Sequence, residues 1–308
     1  MKTIQEKIQE LKKQKNAIIL AHYYTTPDIQ EIADFSGDSL ALAQKAKEGG
    51  CDAMVFAGVN FMAETAKILN PSKRVFIPDT RSGCSLADSC NVEDFKRFKE
   101  QYPNHKVVTY INCSSEMKTV SDVICTSGNA LKIVESFPKE QPLIFAPDRN
   151  LGGYINRVTG RNMILWNGAC HVHDQMKLEN IFRLKEQHPD AKILSHPECK
   201  DVITKAADFV GSTKAMLEFT KKDSAKKYIV ATESGIFYEM KKQSPDKEFI
   251  FATNEKMCSC DDCMYMKLNT LEKIYDCLLN ETNEVILSDE IIEKARHSIE
   301  KMLMLSAK

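Results

Sequence analysis

The sequence predicts an α/β protein of three pseudo-threefold-related units, each a three-layer sandwich of parallel strands with helices on both faces. Three observations predict it. Apolar strand-like runs alternate with amphipathic helical stretches, the pattern of parallel sheet buried on both sides. Polar residues at the ends of these runs recur in register: His22, Tyr110 and His196 stand 88 and 86 residues apart. Cys84, Cys170 and Cys263, 86 and 93 residues apart, each follow a short β-type run that closes a unit. A period near 86 residues is too long for a solenoid repeat and suits a small α/β sandwich.

Residues Met1 to Lys15 read as an amphipathic helix with Ile4, Ile8 and Leu11 on one stripe. The units then open with strands Ala17–His22, Val107–Tyr110 and Lys192–His196. An acidic residue and a small-residue turn follow in each: Asp34-Phe-Ser-Gly-Asp-Ser39, Asp122-Val-Ile-Cys-Thr-Ser127 and Asp208-Phe-Val-Gly-Ser-Thr213. Helices are expected over Leu40–Glu48, Ala130–Ser136 and Ala215–Phe219. Second strands are expected over Met54–Ala57, Leu143–Ala146 and Tyr228–Ala231, and the cysteine-bearing runs are Arg74–Pro78, Asn162–Trp166 and Glu248–Ala252. The predicted domains are 1–84, 85–170 and 171–263, with 264–308 expected to pack on the first.

The bulk composition narrows the function. With 308 residues, 43% hydrophobic and 28% charged, the chain can bury a large core in two or three domains. A net charge of −1 supplies no basic excess to release counterions, which argues against nucleic acid as a partner. No apolar run approaches membrane-spanning length and the N-terminus has no signal-like apolar region, so a cytoplasmic protein with no membrane partner is expected. Eleven cysteines, an odd number, do not read as a disulfide scaffold. Cys51, Cys113, Cys125, Cys199 and Cys277 are expected to be small buried hydrophobes.

The chemistry is expected at the carboxyl ends of the strands, where parallel α/β sheets place it. His22, Tyr23 and Tyr24, then Tyr110 and Asn112, then His196 and Glu198 gather there. Histidines, tyrosines and a carboxylate can donate and accept protons near neutrality. His105, His188 and His297 lie in polar contexts and read as structural. His171 and His173 flank Cys170, so one of them should approach any metal there. The turns at Ser39, at Ser127 and at Ser212–Thr213 place hydroxyls at helix starts. N-capping is the ordinary use of any one of them, but three in register point to anion pockets around one cavity. Neither a Walker loop nor a dinucleotide fingerprint is present. Three widely separated cysteines, unlike the paired ligands of structural zinc or the local clusters of ferredoxins, favour a 4Fe–4S cluster with one iron open to substrate. A zinc-dependent hydrolase or lyase and an iron–sulfur sensor remain alternative readings of the same residues.

Nine strings carry a resemblance that spans essentially the whole chain. They are Ile19-Leu-Ala-His-Tyr-Tyr24, Ile32-Ala-Asp-Phe-Ser-Gly-Asp-Ser39, Gly58-Val-Asn-Phe-Met-Ala-Glu64, Tyr110-Ile-Asn-Cys-Ser-Ser-Glu116 and Ile124-Cys-Thr-Ser-Gly-Asn-Ala130. The others are Pro147-Asp-Arg-Asn-Leu-Gly152, His196-Pro-Glu-Cys199, Val210-Gly-Ser-Thr213 and Met266-Lys-Leu-Asn-Thr-Leu271. In these the sequence resembles the quinolinate synthases. The resemblance implies a pseudo-threefold fold around a central 4Fe–4S cluster held by Cys84, Cys170 and Cys263, the third chosen by its distance to Met266 and Asn269. It implies condensation of iminoaspartate with dihydroxyacetone phosphate to quinolinate, phosphate and two waters, in NAD biosynthesis. Functional coupling to the enzyme that supplies iminoaspartate is left open. The implied active-site set is His22, Tyr24, Ser39, Tyr110, Asn112, Ser127, His173, His196, Glu198, Ser212 and Thr213, with Tyr24, Glu198, His22 and His196 as the catalytic members. Some members of that family carry C-x-x-C-x-x-C near the third ligand; here the run is Cys258-Ser-Cys260-Asp-Asp-Cys263. A Cys260–Cys263 disulfide would remove a ligand and make an oxidation-sensitive switch; the alternative reading is that Cys258 and Cys260 are spare thiols near the cluster.

Overall fold

A computed structural model describes residues 2–48, 50–252 and 262–307. Its frame is three four-stranded, all-parallel sheets. The first contains β1 (Ala17–His22), β2 (Phe35–Gly37), β3 (Ala53–Ala57) and β4 (Arg74–Phe76). The second contains β5 (Lys106–Tyr110), β6 (Val123–Cys125), β7 (Leu143–Ala146) and β8 (Ile164–Leu165). The third contains β9 (Lys192–Ser195), β10 (Phe209–Val210), β11 (Lys227–Ala231) and β12 (Glu248–Phe251). In each sheet the strands lie in the same spatial order, second, first, third, fourth, so the three-unit α/β fold read from the sequence is the fold observed.

Every residue of the inner strands β3 and β7 is buried, as parallel strands covered on both faces require, and so is every residue of the edge strand β6. The edge strands β2, β6 and β10 occupy the segments that the sequence presents as acidic turns. Two or three residues are too few to show a period, and the serine and glycine of β2 hide that strand further. The acidic residue explains how so short a strand pairs. Asp34 Oδ2 accepts the Ile19 N–H at 2.7 Å while its own N–H donates to Ile19 O at 2.9 Å. Asp122 does the same to Val107 (2.8 and 3.0 Å) and Asp208 to Ile193 (2.7 and 2.9 Å). One side chain thus makes the first rung of each edge pairing.

The C-terminal segment divides. Helix Leu271–Asn280 packs on helix Ile4–Gln14 and β3 of the first unit. Helix Asp289–Ala307 instead lies mainly against β6 and helices Ser115–Thr119 and Ala130–Glu135 of the second unit, touching the first through helix Asn60–Leu69. Ser298 Oγ donates to Lys118 O at 2.8 Å, and the Arg296 guanidinium donates to Ile68 O at 2.9 Å, so this helix clamps two units together. The five cysteines expected to be core residues are buried, and Cys90 joins them. Cys260, the expected disulfide partner of Cys263 in the oxidation switch, lies outside the described residues, as does Cys258.

Candidate active site

The carboxyl ends of the central strands of all three sheets face one cavity. The first strand of each unit delivers two residues to it, one at its end and one two positions on: His22 and Tyr24, Tyr110 and Asn112, His196 and Glu198. The two histidines occupy equivalent places but use Nδ1 differently. His22 Nδ1 accepts the N–H of Tyr24 at 3.1 Å, whereas His196 Nδ1 lies closer to the Glu198 carboxylate, 3.1 Å from Oε2, than to the Glu198 N–H at 3.4 Å, and so carries the proton it donates to that carboxylate. An accepting Nδ1 leaves the proton of neutral His22 on Nε2. Burial, with His196 nearby, pushes the His22 pKa down to about 3, so this ring is neutral across the physiological range.

Glu198 is the hub of the polar network. Its Oε2 lies 3.1 Å from both His173 Nδ1 and His196 Nδ1. Burial opposes ionisation of this carboxyl, but the two imidazoles outweigh burial and hold it well below the usual carboxylate range. Its other oxygen, Oε1, is buried with no hydrogen-bond partner among the described residues, and so is Asn112 Oδ1. Both residues line the cavity. The His173 and His196 rings stack at 4.7 Å.

The network extends beyond the residues named from the sequence. His173 Nε2 lies 3.0 Å from Thr232 Oγ1, which lies 2.8 Å from the Tyr24 hydroxyl. A continuous line of hydrogen-bonding atoms therefore runs Tyr24, Thr232, His173, Glu198. Burial pushes the phenols of Tyr24 and Tyr110 well above their ordinary value, which keeps both as O–H groups. Thr232 and Glu233, just past β11, and Asp148, just past β7, were not singled out in the sequence. Asp148 and Glu233 stand two residues past the ends of β7 and β11, as Tyr24 and Asn112 do past β1 and β5, so a search at the third strand ends like that at the first would have found them.

Cys84, Cys170 and Cys263 line the same cavity, one from each unit, and none is in a disulfide. Burial lifts the Cys84 thiol to about 12 and that of Cys263 to about 11, and pushes Cys170 well above its ordinary value. Charge on Cys263 further opposes ionisation of Cys84, and charge on Cys84 that of Cys170, so the three thiols are electrostatic neighbours. Cys170 Sγ also contacts His173 Nδ1 at 3.3 Å, and ligand atoms of Cys170, His173 and Glu198 all fall within 4.8 Å of one another. Three convergent, half-buried thiols form a soft donor set that becomes thiolate only with a metal to compensate, which fits an iron–sulfur group.

Of the helix-start hydroxyls, Ser39 and Thr213 line the cavity. Ser127 and Ser212 are not among its lining residues. Ser212 Oγ accepts the Ala215 N–H at 3.3 Å, which is N-capping, and in the first unit Asp38 caps Ala41 N–H at 2.9 Å in the same way. The turns of the second and third units abut, since a Cβ on Gly128 would come within 3.3 Å of Ser212 Oγ.

A cavity shared by three units, with three thiols on its wall, is a full-length feature, and the comparisons cover the full length. The family model described as NadA, quinolinate synthetase A protein, matches residues 6–304. The chain belongs to the quinolinate synthase family. It is 54% identical to the quinolinate synthase of Microcystis aeruginosa over 299 residues, 97% of this chain and 94% of the relative. It is 53% identical to that of Chloroherpeton thalassium over 302 residues, 98% and 94% of the two chains. It is also 53% identical to that of Nostoc punctiforme over 97% of this chain and 92% of the relative. The quinolinate synthase family is one of enzymes, and the cavity is the place in this member where side chains fit for chemistry converge. Among the described residues no helix is long and apolar enough to cross a membrane.

Proposed function

We propose that the protein condenses iminoaspartate with dihydroxyacetone phosphate to quinolinate, phosphate and two waters at the three-unit cavity. The observation that carries this reading is the convergence of Cys84, Cys170 and Cys263 on the cavity that also holds the Glu198 network. Cys84, Cys170 and Cys263 would hold a 4Fe–4S cluster, which when bound supplies a Lewis-acidic iron for the hydroxyl lost in dehydration.

The protein's own groups divide the remaining work. The substrates bring two carboxylates and a phosphate. Ser39 and Thr213, on the cavity wall at helix starts, are suited to bind two of these anions. Neutral His22 offers its Nε2–H to a carbonyl or carboxylate oxygen, and Tyr110 offers its hydroxyl. Glu198, ionised and with Oε1 free of partners among the described residues, takes the C–H or N–H proton that each elimination must release. His173 and His196 keep that carboxylate aimed. Tyr24 supplies a proton to a leaving oxygen and is recharged through Thr232 and His173. Asn112 Oδ1 accepts from a substrate N–H or O–H.

The test is quinolinate formation from iminoaspartate and dihydroxyacetone phosphate by anaerobically prepared, cluster-loaded protein. Quinolinate should form, and Glu198→Gln should lower kcat by about 100-fold or more, the range of general acid–base contributions. No quinolinate from the loaded wild type would overturn the reading.

A further inference from the structure

The third strands β3, β7 and β11 end at Ala57, Ala146 and Ala231, in equivalent register with the first strand of each unit. Two residues on stand Val59, Asp148 and Glu233. Asp148 and Glu233 are completely buried and use their two oxygens in the same way. One oxygen caps the turn that follows: Asp148 Oδ1 accepts Leu151 N–H at 2.7 Å, and Glu233 Oε2 accepts Gly235 N–H at 2.7 Å. The other reaches across to the loop after the fourth strand. Asp148 Oδ2 accepts the N–H of Cys170 at 3.2 Å, and Glu233 Oε1 accepts the N–H of Cys263 at 3.3 Å.

The same strand ends also hold the far side of each cysteine turn. Four residues after Cys263, Lys267 pairs with Glu233 Oε1 at 2.9 Å. Four residues after Cys170, Asp174 is bound by Arg149 at 3.1 Å and by Asn150 Nδ2 at 2.9 Å, the two residues that follow Asp148. Two different side-chain sets in two units thus produce one arrangement, a cysteine turn fastened at both ends to the neighbouring strand end. The first unit differs. Val59 has no oxygen to offer, and Asn60 holds the loop before Cys84, donating N–H to Ser82 O at 2.7 Å and Nδ2 to Thr80 O at 3.2 Å.

We propose that Asp148 and Glu233 are positioning residues that preform the Cys170 and Cys263 turns for the iron–sulfur group. The carboxylates have both oxygens occupied by these turns, so their work is to hold the cysteine loops. They fix the peptide planes from which the thiols project, so that a cluster meets ligands already aimed and does not have to order two loops as it binds. Partners outside the ligand set that orient metal ligands usually contribute 10–100-fold in metal affinity. The inference rests on the reading that Cys84, Cys170 and Cys263 hold the cluster.

Asp148→Ser and Glu233→Gln test it. Serine is a good N-cap, so Asp148→Ser retains the Leu151 cap but is too short to reach Cys170 as well. Glutamine keeps the Glu233 shape and turns one acceptor oxygen into an N–H₂ donor. Each full-length variant is loaded anaerobically, and visible iron–sulfur absorption is followed after adding an iron chelator. Thermal unfolding of the cluster-free form is measured in parallel. Iron should leave each variant about 10-fold faster than wild type or more, with the cluster-free melting temperature little changed. Release rates equal to wild type would overturn the proposal, as would faster release matched by an equal loss of stability in the cluster-free fold. A wild type that takes up no cluster at all would instead overturn the ligand assignment beneath it.

Discussion

His22 sits where a strand runs into the cavity, buried, with its Nδ1 occupied by the Tyr24 N–H. Its pKa of about 3 in the fold, against 6.5 for the free side chain, means that between these values the unfolded chain holds the extra proton. Its contribution to stability is therefore complete above pH 6.5 and lost progressively as pH falls towards 3. In thermal melts of cluster-free protein, His22→Asn, which keeps an acceptor for Tyr24, should lose less stability than wild type across that window. Thr232 makes the second residue-scale prediction. Thr232→Val preserves shape but breaks the line from Tyr24 to His173, so kcat should fall by about 10-fold or more with a smaller change in KM. Thr232→Ser should recover most of it, and steady-state rates of all three proteins decide the matter. The sequence made His22, Tyr24, Tyr110, Asn112, His196 and Glu198 legible because they repeat at strand ends. Thr232 has no such signature. A threonine after a strand is ordinary, and its importance lies in two contacts from residues 208 and 59 positions away.

Among the elements, the first, third and fourth strands of each sheet were readable, since each is an apolar run bounded by polar residues. The second strands were not, because β2, β6 and β10 are two or three residues long and depend on a preceding aspartate for their first pairing. The acidic residue was visible at its 88- and 86-residue spacing, but sequence alone does not tell a strand-docking carboxylate from an active-site one. Asp122→Ala leaves the Val107 N–H without its acceptor and frees β6 at one end. It should cost about 1–2 kcal/mol in denaturant unfolding, less than a fully buried charged hydrogen bond because Asp122 is partly exposed. The expected anion turns split between two uses at this scale: Ser39 and Thr213 reach the cavity wall, while Ser212 caps its helix. Helix capping and anion binding draw on the same free N–H groups, which is why residue type alone could not separate them.

At the scale of the whole molecule, three copies of one unit meet at the ends of their strands, and the residues that match in sequence diverge in chemistry. The strand-end pairs are His–Tyr, Tyr–Asn and His–Glu, so a threefold scaffold carries an asymmetric set of donors, acceptors and one carboxylate. Among the equivalent positions that line the cavity, the cysteines keep their identity in all three copies. That is consistent with a shared central ligand, whereas the other positions would face different parts of a substrate. The clamp formed by helix Asp289–Ala307 across two units belongs to the same design, because a site built at a junction needs its walls held together. No feature of the C-terminal sequence pointed to the second unit, since an amphipathic helix shows that it has an apolar face but not what covers it. The central claim, that one thiol from each unit holds a single cluster, is tested most directly by iron and sulfide analysis, with visible absorption, of Cys84→Ala, Cys170→Ala, Cys263→Ala and Cys51→Ala beside wild type. About four irons per chain should be found in wild type and in Cys51→Ala, and the absorption band should be lost in each of the other three. A cluster retained in full by any of those three would contradict the account.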